Sequence, residues 1–249
     1  MSHTPNSLSG PALAGEWPLV AAQPGIWVAD QISPHRNAYA VAHAIELNGP
    51  IAVEPLLQAI IQGLGEVDML RLRFAERDGV PVQWLDDALA VHEPELVDLT
   101  TSPDPEAAAR ALMDIDLASD LRAGSGAPLY RHVVMRLADN RWFWYQRYHH
   151  LLVDGFSFTA IARRVAAIYT HLCRGDALEP TPFTAFSDVV AEYQAYREAP
   201  AWQRDADFWL EKARQLPPPA TLCPQPLAGQ TPTPRIHRLE QRCDPQAFA

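Results

Sequence analysis

The sequence predicts a layered α/β (α+β) fold. Three observations carry this: two hairpin signals, a strand that is aromatic on both faces, and helices of one apolar stripe set between the strands. Asp78-Gly79 separates LRLRF (70 to 74) from PVQWLD (81 to 86), and Asp139-Asn140 separates Leu129 to Leu137 from Arg141 to Tyr148. Such dipeptides between apolar runs favour tight hairpin turns.

The elements follow in order. Residues 1 to 16 are polar and rich in Pro and Gly and read as a disordered segment. A first helix opens at Pro24, with Gln23 before it, Trp27 inside and Ile32 near its end. Proline suits a first helical turn because its missing N–H has no partner there. AYAVAHAIEL (38 to 47) alternates alanine with larger side chains, a strand with one face held close to a neighbour. Val53, Leu56, Leu57, Ile60, Ile61 and Leu64 then form a helical stripe. An alanine-rich helix is expected over 105 to 118, and a longer one runs from about Phe156 to a glycine cap at Gly175. Two more are expected near 186 to 198 and 201 to 215. Seven prolines between Pro217 and Pro234 describe an extended linker, and IHRLEQRC beyond it reads as the start of another strand. The predicted organisation is therefore a segment 1–16, a lobe 17–216 and a linker with the start of a further element, 217–249.

Composition narrows the function. A formal charge of −10 opposes a nucleic-acid partner or an anionic lipid surface. No apolar run has the length of a membrane span, and the N-terminus lacks the order of a signal peptide. Cys173, Cys223 and Cys243 are odd in number and far apart, forming neither a metal spacing nor a disulfide framework. A reduced, cytoplasmic setting is expected.

The chemistry concentrates in HHLLVDG, His149 to Gly155. Neighbouring residues of a strand point to opposite faces, so His149 and His150 do not readily ligate one metal, and no further ligands stand at usable spacing. No metal is expected. One reading of the stretch is structural: two histidines held by backbone partners at a strand end, with Asp154 capping the next helix and Gly155 permitting a tight turn. The other is catalytic, with one imidazole delivered into a cleft as a base near neutral pH. No nucleophile signature such as G-x-S-x-G is present. A base without a protein nucleophile implies two bound substrates reacting with each other.

HHLLVDGFSF resembles the HHxxxDG motif of nonribosomal peptide synthetase condensation domains. The resemblance extends over nearly all of residues 16 to 249. PLVAAQPGIWVA (18 to 29) is similar to the family's opening motif, with Gln23 and Trp27 in place, and DMLRLRF (68 to 74) matches an LRxxF pattern through Leu70, Arg71 and Phe74. FSDVVAEYQAYR (186 to 197) resembles the next motif, and WQRDADFWLEKARQLPPPA resembles the approach to an inter-lobe linker. Departures occur at Glu66, Val67 and Asp68, where many members carry Arg-His-Glu, and at Leu72 in place of a common Thr.

The resemblance implies a chloramphenicol acetyltransferase-like sandwich, of which this chain is the N-terminal lobe of two. It implies amide formation between an acyl thioester on an upstream carrier protein and the amine of an aminoacyl thioester on a downstream peptidyl carrier domain. Likeness to initiating, siderophore-forming members implies an aryl donor such as 2,3-dihydroxybenzoyl and a seryl acceptor. Phosphopantetheine arrives on the carriers, and no cofactor is bound covalently. His150 is implied to face the acceptor, as base or positioner, with His149, Asp154 and Gly155 completing the motif. Arg71 is expected to support the site by pairing with a buried Asp154. Two rivals stand beside this reading: a non-catalytic lobe that docks a carrier or partner subunit, and a free-standing acyltransferase using coenzyme A.

Overall fold

The computed structural model describes residues 15–217. Two hairpins build its sheets. In the first, β3 (Leu72–Arg77) and β4 (Val80–Leu85) pair from Leu72↔Leu85 to Arg77↔Val80. Asp78 (φ 51°) and Gly79 (φ 80°) both take the left-handed region that a two-residue hairpin turn demands. A two-residue strand β1 (Trp17–Pro18) adds to β4, giving the order β1-β4-β3. The expected strand at 70 to 74 begins two residues late. Asp68–Arg71 form a 3-10 turn that places Leu70 in the core and Arg71 outside the ladder.

In the second hairpin, β6 (Tyr130–Ala138) and β7 (Arg141–His149) are antiparallel, with an irregularity between Arg136 and Ala138. β2 (Ala40–Asn48) pairs antiparallel with β7 along its whole length, and β5 (Glu95–Asp98) runs parallel to β6. The order is β2-β7-β6-β5. β5 is a strand that the periodicity does not disclose, because it is four residues long and mostly exposed. β2 is an edge strand, and Ala42 and Ala44 are exposed where the alternation suggests a close neighbour.

The larger sheet is covered on both faces. Even-numbered residues (Tyr130, Val134, Trp142, Trp144, Tyr148) join the main core with α2 (Val53–Gly65) and α4 (Gly155–Arg174). Odd-numbered ones (Val133, Met135, Leu137, Phe143, Tyr145) pack with Ala109, Leu112 and Met113 of α3 (Pro105–Ala118). This is why WFWYQRYH carries aromatics on both sides, each full burial of a large apolar side chain contributing ~1.5–3 kcal/mol. α2 lays its stripe (Leu56, Ala59, Ile60, Gly63, Leu64) against Ile161, Val165 and Ile168 of α4. α4 ends on Gly175 in the left-handed conformation (φ 74°). Asp104 caps α3 by accepting from Ala107 N, with Pro105 in its first turn.

α1 (Gln23–Ile32) buries Gln23, Trp27 and Asp30 on one stripe, and α5 (Phe186–Glu198) buries Phe186 and Val190. Trp27 and Phe74, from two different sequence motifs, meet with ring centroids 6.4 Å apart. The chain divides into two units, 1–205 and 206–249. The first holds all of these elements and the start of α6 (Pro200–Gln215), and in the second Phe208 and Trp209 pack edge to face. Apart from Gly15, Glu16 and Pro217, the segments expected at 1–16 and 217–249 lie outside the described residues, as do Cys223 and Cys243. Among the described residues, no helix is long and apolar enough to cross a membrane.

Candidate active site

β7 ends at His149, opposite Ala40 of β2. The ring of His149 is wholly buried and stacks on Tyr39, with centroids 6.4 Å apart. Its Nδ1 accepts the backbone N–H of Leu151 at 3.1 Å. An accepting Nδ1 carries no proton, so the neutral ring holds its hydrogen on Nε2, which stands 3.5 Å from Asp30 Oδ1. Burial pushes the His149 pKa down against the pull of Asp30, and His150 adds to the lowering. His149 is therefore a buried imidazole held in its neutral form.

His150 leaves the strand. Its N–H donates to Tyr39 O (2.9 Å), its ring is half-buried, and among the described residues its buried Nδ1 has no hydrogen-bonding partner. The next three side chains, Leu151, Leu152 and Val153, are at most 5% exposed and anchor the turn in the core. Leu152 N–H closes it on His149 O (2.9 Å). The two histidines have separate surroundings, one sealed and one at the surface.

Asp154 corrects an expectation. It is exposed, and its Oδ1 accepts from Phe156 N (3.1 Å), Ser157 N (2.9 Å) and Ser157 Oγ (2.8 Å), while Ser157 Oγ accepts Asp154 N–H (3.1 Å). This is a reciprocal cap on α4. The Ser157 hydroxyl and the first amides of the helix hold the Asp154 carboxyl below its ordinary pKa. Arg71 does not reach it: its guanidinium pairs with Asp68 (2.5 Å) and Asp87 (2.8 Å). The 3-10 turn sets Asp68 three residues before Arg71, and that local pair takes the guanidinium. Gly155 opens α4, and a Cβ there would meet nothing within 4 Å.

The departures at 66 to 68 have structural work. Glu66 forks the guanidinium of Arg164 on α4 at 2.6 and 2.8 Å, and Arg164 also donates to Glu179 O (2.7 Å). Asp68 Oδ2 takes the N–H of Phe186 (3.0 Å).

On the even-numbered face of β6 and β7, one rung is polar: His43, Gln146 and His132 stand opposite one another across β2, β7 and β6. Trp144 Nε1 donates to His132 Nδ1 (3.1 Å), and burial lowers the His132 pKa to about 3. Phe158, from the first turns of α4, lies edge-on to Tyr148 (5.2 Å) and His43 (5.5 Å). Periodicity does not mark this rung, because a lone polar residue in an aromatic run carries no spacing. Among the described residues, no group of three or more His, Cys, Asp or Glu side chains converges as a metal site would require.

A family model for the condensation domain matches residues 13–246. The chain belongs to the condensation domain family. It is 56% identical over 223 residues to enterobactin synthase component F of Escherichia coli O157:H7, covering 90% of this chain and 17% of that protein. Among solved structures, the starter condensation domain of rhizomide synthetase RzmA, in a variant complexed with C8-CoA, superposes with a TM-score of 0.79 at 31% identity, over 85% of this chain and 48% of that one. The first condensation domain of the CDA synthetase gives 0.71 at 26% identity, over 84% and 53%. The condensation-domain fold expected from the motifs is thus present, as the mixed α/β layers of one chloramphenicol acetyltransferase-like lobe. This condensation domain sequence spans about half the length of the solved structures it matches.

Proposed function

We propose that this chain is the N-terminal lobe, residues 17–216, of a synthetase condensation domain that forms an amide between two carrier-bound substrates. The amine of an aminoacyl thioester attacks the carbonyl carbon of a donor thioester. The ammonium first gives up one proton to solvent, the C–N bond forms and the C–S bond breaks, and the second proton, shed by the attacking nitrogen, passes by way of His150 to the departing thiolate. An α-ammonium with a reference pKa of ~7.7–8.0 is mostly protonated at neutral pH, so an acceptor for that proton is required. The single observation that carries the reading is the position of His150: half-buried at the end of β7, in a turn fixed on both sides, with a buried nitrogen that no described protein group occupies.

Similarity to enterobactin synthase component F supports an aryl donor of the 2,3-dihydroxybenzoyl kind and a seryl acceptor, in siderophore assembly in the cytoplasm. An upstream aryl carrier and a downstream peptidyl carrier would present both on phosphopantetheine arms. His150→Ala in the synthetase that contains this lobe is expected to lower amide formation by about 10²–10⁴-fold, with donor loading of the carrier unchanged. Condensation at the parental rate by that variant would overturn the catalytic role of His150.

A further inference from the structure

The turn that presents His150 is held at one residue, Leu151, through the two peptide groups that flank it. Its N–H is taken by His149 Nδ1 (3.1 Å) and its C=O by Gln23 Nε2 (3.1 Å). Gln23 stands on α1, and the ring of His149 faces a second α1 residue. Gln23 is fixed by Val20 N–H and by Gln83 Nε2, each donating to its Oε1 at 2.9 Å, and Gln83 Nε2 also donates to Pro18 O at 3.0 Å. Seven residues on, Asp30 stands on the same buried stripe. Its Oδ2 accepts Ala123 N–H (3.2 Å), and its Oδ1 faces the Nε2 of His149 at 3.5 Å.

Gln23 is 6% exposed, and Asp30, Gln83 and His149 are 0% exposed. Polar groups buried to this degree lower stability unless each is hydrogen-bonded, and apolar side chains would fill the same stripe without that cost. Two of their hydrogen bonds, from Gln23 Nε2 and to His149 Nδ1, meet at Leu151 of the loop, while Asp30 is held by Ala123 N–H and Gln83 donates to Pro18 and Gln23. Asp30 favours the Nε2–H form of His149, which leaves Nδ1 free to accept from Leu151.

We propose that Gln23 and Asp30 are positioning residues for His150: Gln23 holds Leu151 O directly, and Asp30 acts through the ring of His149, which holds Leu151 N–H. Adjacent Cα atoms are ~3.8 Å apart on a rigid peptide plane, and the Leu151 N–H lies in the plane that joins it to His150, so a shift of Leu151 is a shift of His150. A displacement of ~1 Å in a reacting group can cost about 10²-fold in rate. The inference rests on the reading of His150 as the group that meets the acceptor amine.

Gln23→Glu keeps the length of the side chain and the acceptor for Val20 N–H and Gln83 Nε2 and removes the donor to Leu151 O. Asp30→Asn keeps the acceptor for Ala123 N–H and removes the charge facing His149. Each is to be made in the full synthetase, beside His150→Ala. Both clamp variants are expected to lower kcat for amide formation by about 10–100-fold, with KM for the carrier substrates within about twofold. Carbethoxylation of His150 by diethylpyrocarbonate, followed by peptide mass spectrometry, is expected to change in rate by several-fold in both, with the thermal midpoint still above the assay temperature. Parental kcat together with a parental modification rate would overturn the clamp. If His150→Ala condenses normally, the function of His150 falls, and the modification rates alone then decide whether the clamp holds the loop.

Discussion

Asp154 and Ser157 cap each other across the first turn of α4, each accepting a backbone N–H from the other and the Ser157 hydroxyl donating to Asp154. An exposed cap of this kind contributes about 1 kcal/mol, against ~3–5 kcal/mol for a broken buried ion pair. Asp154→Ala should therefore lower the urea-derived stability at pH 7 by about 1 kcal/mol. Asp154→Asn, an equally good cap, should recover most of it. A loss above ~3 kcal/mol would mean that the carboxylate has a buried partner. Because its pKa is depressed in the fold, the carboxylate's contribution is present above the unfolded value near 3.9 and is lost as pH falls through the lower folded one.

Gly63 sets the approach of α2 to α4. A Cβ at that position would stand 2.7 Å from Val165 Cγ2, closer than two carbons pack. Val165 is 2% exposed and wedged beside Ile168, so it has little room to turn away. Gly63→Ala should destabilise by ~1–3 kcal/mol despite the better helix propensity of alanine. The double variant Gly63→Ala with Val165→Ala should recover part of the loss. A stabilised single variant in thermal melts would show that the helices can part freely.

Much of this fold is legible in the sequence, for local reasons. Asp78-Gly79 sets a turn whatever surrounds it, Gly175 ends a helix by its own backbone freedom, and the stripe from Val53 to Leu64 needs only helical spacing. What is hidden depends on partners distant in sequence. β5 forms because β6 offers it an edge, and Asp30 acquires meaning only when folding brings His149 within 3.5 Å. Its one sequence signal is a lone acid on the buried stripe of Gln23 and Trp27. The pairing of Arg71 with Asp154 fails for the opposite reason: a carboxylate three residues away, Asp68, takes the guanidinium first.

Glu66 ties α2's end to α4 through Arg164, whose side chain is 7% exposed. The forked ion pair lowers the Glu66 pKa and raises that of Arg164. Glu66→Gln should cost ~1–3 kcal/mol, since it leaves a buried cation with carbonyl partners only. Arg164→Met combined with Glu66→Gln should cost less than the two single variants together, because the pair is removed as a unit. Additive losses in chemical denaturation would show that the two side chains are not coupled.

His132 should make the protein acid-sensitive well above the carboxylate range. Its Nδ1 accepts from Trp144, and burial lowers its pKa to about 3, against ~6.5 when unfolded. His149 is shifted in the same direction. Below ~6.5 the unfolded chain takes up protons that the folded imidazoles refuse, so stability is full above that pH and falls as pH drops toward the folded values. Each such histidine adds a slope approaching ~1.4 kcal/mol per pH unit. The depressed carboxylates, Glu66, Asp98, Glu106 and Asp154, act in the same direction only below ~4.5, which leaves the window from 6.5 to 5 to histidines. His132→Gln keeps an acceptor for Trp144 and removes the titrating group. Its urea-derived stability should fall less steeply across that window than the parent's, by up to one proton's worth of slope. Parallel curves for the two proteins would show that His132 is protonated within the fold.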